Sequence, residues 1–265
     1  MIIRHFLRAT AALRLAALAL FMAPALTACD SIAMLSGPTE EFVLQADLAA
    51  LGKDADTEAE IAETMQTSIA VIERRLSQTG VYIHEIADAG DGRLVLKLSG
   101  DDPKAALEAM LAYRGKLEFR MADMNALPDM VEQGIAPVGS EILPMRDNAY
   151  PPIAVRRKVA VDGSRIIDAR QGVDPYTGQP VINIQFDEEG GKQLAETTRR
   201  HVGEAMAIVL DDVIVMSPFI NEPIVGASMQ LHGGFDEQEA FGLAVVLRSG
   251  ALPASFAITG QSKLN

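Results

Sequence analysis

The sequence predicts an α+β fold, and three local patterns support this prediction. Apolar residues recur every three or four positions between Ile61 and Leu76, which is typical of an amphipathic helix. Residues 41–48 alternate between polar and apolar side chains, as in a strand with one buried face. Gly90-Asp91-Gly92 separates two short β-type runs and has the composition of a hairpin turn. Helices and antiparallel strands are therefore expected in one chain.

Residues 41–121 are predicted to form a ferredoxin-like base. After the first strand, the helix and the hairpin, Asp102-Pro103 opens a second helix, because proline at the first helical position loses no hydrogen bond. Residues 117–121 then alternate as a further strand. The resulting order is βαββαβ, which stacks two helices on one face of a four-stranded antiparallel sheet.

Residues 122–250 are predicted to form a connecting loop and an inserted α+β head subdomain. The loop, residues 122–152, is rich in proline but keeps apolar side chains, among them Met124, Leu127, Met130 and Met145. A long apolar loop is either functional or packed beneath another element. The head follows as strands, helices and hairpins, and residues 251–265 supply a strand that returns to the base and a C-terminal tail.

Two acidic pairs in the head are interpreted as structural. Asp187-Glu188 lies at the start of a helical pattern, where Asp187 can cap the helix. Asp211-Asp212 lies between two apolar runs, as in a two-residue hairpin turn. Bonds from such side chains to nearby backbone explain both placements without catalysis.

The N-terminal segment is predicted to be a lipoprotein signal peptide over residues 1–28. Basic residues precede an apolar run, and Leu26-Thr27-Ala28-Cys29 places the single cysteine after small residues. Cys29 would be lipidated, and residues 29–40 would form a linker. Asp30 favours retention at the periplasmic face of the inner membrane, with the outer membrane as the other location. The alternatives are an ordinary signal peptide or a buried helix with a chance cysteine.

The charge of the chain excludes some partners. The full chain carries a net charge of −13, and removal of residues 1–28 leaves 20 basic and 36 acidic side chains, a net charge of −16. Such a protein repels phosphate backbones, so no nucleic acid is expected as a partner.

The sequence contains no recognisable catalytic, metal or cofactor site. His84, His201 and His232 do not stand at the spacing of metal ligands. No glycine-rich phosphate loop opens a helix, and no serine lies in a nucleophile elbow. We therefore predict no catalytic residue, no metal and no cofactor.

One apolar segment has no obvious structural role in the sequence. Met216, Pro218, Phe219 and Ile220 follow a predicted hairpin strand, where polar residues are usual. They are either buried or part of an adaptable apolar contact surface. Together with the apolar residues of the loop, they are the candidates for contact with polypeptide.

The chain resembles the P1 domain of SecD, an accessory subunit of the bacterial protein-export channel. Residues 247–254, Leu-Arg-Ser-Gly-Ala-Leu-Pro-Ala, carry the resemblance together with several segments in the family's order. The other segments are residues 73–76, 80–81, 93–100, 117–120, 163–169, 181–190, 207–212, 217–220 and 233–240.

The resemblance implies a base near the membrane, an inserted head and a non-enzymatic role in holding translocating or exported polypeptide. It also implies the Sec channel or another inner-membrane complex as a partner. Family members continue into transmembrane helices, whereas this sequence stops at Asn265, so we expect a module without the proton-conducting part. Two other functions stay open: a structural subunit of an inner-membrane assembly, and a hydrolase that uses a pair of carboxylates.

Overall fold

The computed structural model describes residues 37–48 and 58–264. The predicted signal peptide, Cys29 and most of the linker that follows it lie outside the described residues. Within the described residues, no helix combines the length and the hydropathy of a membrane-spanning segment.

The described residues form five helices and twelve strands. The helices are α1 Glu58–Leu76, α2 Pro103–Leu111, α3 Pro128–Glu132, α4 Glu188–Arg200 and α5 Glu237–Ser249. The strands of the first half are β1 Glu40–Ala46, β2 Tyr82–Gly90, β3 Arg93–Ser99, β4 Leu117–Ala122, β5 Ser140–Leu143 and β6 Ile153–Asp162. The strands of the second half are β7 Ile166–Val173, β8 Pro180–Phe186, β9 Met206–Leu210, β10 Val213–Met216, β11 Ser228–Leu231 and β12 Phe256–Lys263.

The base is a four-stranded antiparallel sheet in the order β12-β1-β3-β2. Alternate residues of the central strands, such as Phe42 and Leu96, are fully buried in a core shared with Ile72 of α1 and Leu107 of α2. This strand order with two helices on one face is the ferredoxin-like arrangement. The α+β fold class and the ferredoxin-like base are therefore confirmed.

The prediction that residues 117–121 supply a strand of the base sheet is wrong. β4 pairs with β6 and β9 in a sheet of the head, and both of its faces are buried. The fourth strand of the base is β12, which pairs with β1 from Phe256 to Lys263. The return strand thus begins later than residue 251, after Leu252 and Ala254 have packed into the base core.

The head contains a five-stranded sheet in the order β10-β9-β4-β6-β5 and a three-stranded sheet in the order β11-β8-β7. One core joins them, with Phe119 of the larger sheet against Phe186 of the smaller, their rings 5.5 Å apart and nearly perpendicular. Leu194 of α4 and Leu243 of α5 complete this core.

The predicted connecting loop contains regular structure. Within residues 122–152, α3 forms one short helix, and β5 joins the edge of the five-stranded sheet by pairing with β6. The pattern missed β5 because it is only four residues long and lies among prolines, so neither its length nor its alternation stands out.

The predicted cap at Asp187 and the predicted turn at Asp211-Asp212 are confirmed, and the structure has a second cap of the same kind at Asp236. The Asp187 carboxylate accepts a hydrogen bond from Gly190 N at 2.6 Å at the start of α4. Asp236 does the same for Glu239 N at the start of α5, at 2.7 Å. Asp211 and Asp212 both have positive φ, 50° and 64°, as a tight hairpin turn of this kind requires.

The base and the head are joined at Arg75, a fully buried side chain of α1. Its guanidinium donates to the carbonyl oxygens of Met110, Tyr113, Arg114 and Gly250 at 2.6, 2.7, 2.7 and 2.9 Å. These carbonyls lie on the two segments where the chain passes between base and head, residues 110–115 and residue 250 onward. Arg75 therefore fastens both crossings to the same helix.

Candidate functional site

The five-stranded sheet of the head curls until its two edges meet. Beyond β5, Met145 forms a parallel bridge with Ile214 of β10, the strand at the opposite edge. Ile214 N donates to Pro144 O at 2.9 Å, and Arg146 N donates to Ile214 O at 2.8 Å. The segment around Met145 is thus held against β10 by main-chain hydrogen bonds.

A cluster of charged side chains stabilises the curled sheet. Arg120 and Glu118 of β4 are almost fully buried and lie 2.7 Å apart, and Arg120 also pairs with Glu141 of β5. Burial opposes the charged form of Arg120, but the hydrogen bond that Arg120 donates to Glu141 and the charge of Glu118 raise its pKa overall. The guanidinium therefore stays charged and ties β4 to β5 across the intervening strand.

An open groove of about 750 Å³ lies beside this closure. Most of its lining is apolar, and methionines contribute two flexible side chains that can adapt to different contacts. The lining residues are Met145, Arg146, Asp147, Tyr150, Pro151, Ile153, Val215, Met216, Ser217, Gly233 and Gly234.

The cation at the rim of this groove is already neutralised. Arg146 lies over the ring of Phe235, 4.5 Å from its centroid, and pairs with Glu239 at 2.5 Å. Tyr113 also donates to Glu239, at 3.2 Å. Burial, reinforced by the Glu239 charge, raises the pKa of Tyr113, so its hydroxyl remains a donor. The groove therefore offers apolar contact without a strong preference for charge.

The exposed Phe219 lies at the end of the head that is remote from the base. β4 begins near the base, where Asp211 accepts hydrogen bonds from Gly115 N and Lys116 N at 3.2 and 2.9 Å. It ends at Ala122, whose N–H donates to Ala205 O, and Ala205 in turn bridges Phe219. Phe219 therefore belongs to this far end, whereas the groove residue Met216 pairs with Ile208, which lies opposite Phe119 in the middle of β4.

Comparisons with known proteins agree with the fold. Residues 140–254 match the family model described as SecDF, P1 head subdomain. Protein translocase subunit SecD of Acetobacter pasteurianus is 35% identical over 207 residues, which cover 78% of this chain and 39% of that protein. The SecD of Syntrophobacter fumaroxidans is 33% identical over 211 residues, 77% of this chain and 39% of that protein.

Solved structures give the same result. The structure reported under "Structure and function of a membrane component SecDF that enhances protein export" superposes with a TM-score of 0.62 at 25% identity, covering 83% of this chain and 98% of that one. SecDF in its super-membrane-facing form gives a TM-score of 0.66 at 24% identity, over 86% of this chain and 30% of that one. This chain contains a SecDF P1 domain.

The P1 domain accounts for only part of such proteins, because the chain spans about 39% of the length of the curated relatives it matches. The matched head region, residues 140–254, includes the groove, the three-stranded sheet and every strand of the curled sheet except β4.

The P1 fold brings together two of the predicted contact residues. Met145 and Met216 lie 71 positions apart in the sequence, and both line the groove. The sequence did not indicate Tyr150, Ile153 or Val215 as contact residues. In the sequence, Ile153 and Val215 look like ordinary strand residues. Only the curled sheet places them in the lining of the groove.

The remaining predicted contact residues divide between surface and core. Pro218 and Phe219 are exposed, Phe219 by 61%, whereas Ile220 is only 5% exposed and packs in the core of the head. Ile220 is therefore removed from the contact surface. Its burial follows from strand alternation, because Ile220 N and O bond to the segment at residues 203–204 and turn its side chain inward.

The predicted contact residues of the loop also differ in their exposure to solvent. Met124 and Leu127 are 58% and 62% exposed and follow Ala122 at the far end of β4, on the side of Phe219. Met130 of α3 is half-buried. These residues form a second apolar area that does not line the groove.

Several acidic and imidazole groups of the described residues make local structural bonds. Asp211 bonds to the backbone of Gly115 and Lys116, as a structural residue would. His201 bonds to Glu204 at 2.9 Å, and His84 bonds to Ser99. Within residues 37–48 and 58–264, no cluster of three His, Cys, Asp or Glu side chains could hold a metal ion.

Proposed function

We propose that this P1 module binds translocating or exported polypeptide at the apolar groove, as a non-enzymatic auxiliary of protein export. The observation that carries the proposal is the groove itself: a concave, mostly apolar surface on the head, with flexible methionines and no uncompensated cation. Apolar contact of this kind tolerates many sequences, which suits a protein that meets chains of varied composition.

The charge of the molecule supports the same function. A net charge of −13 keeps the module soluble between encounters and favours neutral or basic segments over acidic ones. Phe219, Met124 and Leu127 form a second exposed apolar area on the head, which offers a bound chain further contacts. We propose the Sec channel or another inner-membrane complex as the neighbour from which the polypeptide arrives.

The proposal includes a location. Lipidation of Cys29 would fasten the module to the periplasmic face of the inner membrane, and several acyl chains would hold it there stably. Incorporation of labelled palmitate into the wild-type protein, and its loss from a Cys29→Ser variant, is the expected result. A wild-type protein that takes up no label would refute the anchor while leaving the groove proposal intact.

Site-specific photocrosslinking tests the groove. A photoreactive amino acid in place of Met216 should crosslink to a secretory precursor arrested during export. The same group in place of Gln261, an exposed residue of β12 in the base, should crosslink far less. Failure of the Met216 position to reach the precursor would refute polypeptide binding at the groove. Crosslinks to one fixed protein would instead favour a structural subunit of a membrane assembly.

A further inference from the structure

The outward face of the three-stranded sheet is lined mainly by uncharged hydrogen-bonding groups, beside one ion pair. Strand alternation sends Ile182, Ile184 and Phe186 of β8 into the core, and therefore sends Asn183 and Gln185 outward. On β11, Ser228 and Gln230 are exposed in the same way. In a chain where charged residues make up 22% of the sequence, this face presents three carboxamides and one hydroxyl.

The strand register arranges these groups in two rows. Ser228 and Asp168 flank Gln185 in one row, and Gln230 and Arg170 flank Asn183 in the other. The charges of Arg170 and Asp168 compensate each other, because the two side chains form an ion pair at 2.7 Å. The rows border an open depression of about 610 Å³.

The spacing of the rows matches an extended polypeptide. Residues two apart on a strand are separated by about 6.8 Å, which is also the repeat of a chain bound in the extended conformation. Each carboxamide offers one acceptor oxygen and an amide nitrogen with two donor hydrogens, so it can pair with the C=O and N–H of a peptide unit. Gln230 already makes this type of bond, donating to Asn183 at 2.9 Å.

The face is also close to the groove along the chain. β11 ends at Leu231, and Gly233 and Gly234 form part of the groove lining. Gln230 and Gly233 are three residues apart, a span of at most about 10 Å. One bound segment can therefore reach both surfaces.

We propose that this carboxamide face is a second polypeptide subsite, which holds the main chain of an extended segment while the groove holds its apolar side chains. This inference rests on the proposed function. Its chemistry differs from that of the groove, since main-chain groups are the same in every polypeptide and binding through them is independent of sequence.

The test uses an uncharged, fluorescein-labelled peptide of about 16 residues, long enough to span both surfaces at about 3.4 Å per residue. Half of the peptide is rich in Leu and Phe, and half alternates Ser and Thr. A second peptide replaces alternate N–H groups of the Ser/Thr half by ester oxygens. A Gln185→Ala/Gln230→Ala variant should bind the first peptide about tenfold more weakly, through loss of two hydrogen bonds.

The ester peptide should also bind the wild type more weakly, and the double variant should weaken its binding less than it weakens binding of the first peptide, because the bonds to the peptide N–H groups are already missing. Gln261→Ala, which removes an exposed amide from β12, is the matched control and should bind like wild type. Melting temperatures should be equal for all variants, since each altered side chain is exposed.

Three results would overturn the subsite. The first is a double variant that binds the peptide as wild type does. The second is a full addition of the affinity losses caused by the ester peptide and by the double variant. The third is binding of a tetramer of N-acetylglucosamine to the face in place of the peptide, which would assign the face to polysaccharide. A Met216→Asp variant separates this proposal from the preceding one. If Met216→Asp weakens binding of the Leu/Phe half of the peptide while the glutamine double variant binds the peptide as wild type does, only the second subsite fails. If no peptide binds the wild type, both proposals fail.

Discussion

Replacing Arg75 by methionine should cost about 3–5 kcal/mol of folding stability. The side chain is fully buried and donates four hydrogen bonds of 2.6–2.9 Å to main-chain carbonyls. Methionine has a similar length and fills the space but donates nothing. The carbonyls of Met110 and Gly250 would lose a charged donor, and the two crossings between base and head would lose their common fastening.

The magnitude follows from two opposing quantities. Burial lowers the pKa of Arg75 from its ordinary value to about 10, although the charge of Asp211 opposes this. That change corresponds to a cost of about 3 kcal/mol for holding the charged guanidinium inside the protein. Hydrogen bonds from a charged donor contribute about 1.5–3 kcal/mol each, so four of them exceed this cost by about 3 kcal/mol or more. Each main-chain carbonyl that stays buried without a partner adds a cost of about 1–3 kcal/mol.

The assay is urea unfolding followed by circular dichroism, with Arg74→Met as the matched control. Arg74 is the adjacent residue of α1, is exposed, and bonds only within its own helix, to Ala70 O at 3.2 Å. The control should stay within about 0.5 kcal/mol of wild type. Limited proteolysis should also cut the Arg75→Met variant faster at residues 112–116. An Arg75→Met variant within about 1 kcal/mol of wild type, at an unchanged denaturant slope, would refute the reasoning.

Two further predictions concern the head. Ile220→Ala should lose about 2–4 kcal/mol of stability in the same urea assay because the side chain is in the core, whereas Phe219→Asp should change it by less than about 1 kcal/mol; equal losses would show that Phe219 is a core residue. Hydrogen bonding from Gly190 N, aided by Arg165, holds the pKa of Asp187 below its ordinary value of 3.8. The contribution of the Asp187 carboxylate to folding stability is therefore complete well above pH 3.8, and it is lost as the pH falls toward the lowered pKa. Asp187→Asn should flatten the acid limb of a plot of melting temperature against pH, and an unchanged limb would contradict this.

Much of the local structure was predictable because its causes are local. The helix over Glu58–Leu76 follows from its apolar spacing, and the caps at Asp187 and Asp236 follow from short side chains that bond to the backbone three residues on. The hairpin at Asp91-Gly92 follows from residues that accept positive φ. Each of these depends on neighbours within a few positions.

The partner of each strand was less predictable. Residues 117–121 read correctly as a strand, but alternation does not specify a sheet, and β4 joined the head instead of the base. The burial of Ile220 and the exposure of Phe219 were unpredictable for a similar reason. The apolar run is uniform in sequence, and only pairing with residues 203–206 determines which side chain faces the core.

The sequence by itself determined the α+β class, the first five elements of the base, the caps and the resemblance to SecD P1 domains. The tertiary structure decided what the surface can bind. Met145 and Met216 form one groove only because the curled sheet brings Pro144–Arg146 against Ile214, and Asn183 and Gln230 form one row only through the register of β8 and β11. Both arrangements depend on hydrogen bonds between residues far apart in the chain, and the periodicity of a single segment carries no information about its distant partner.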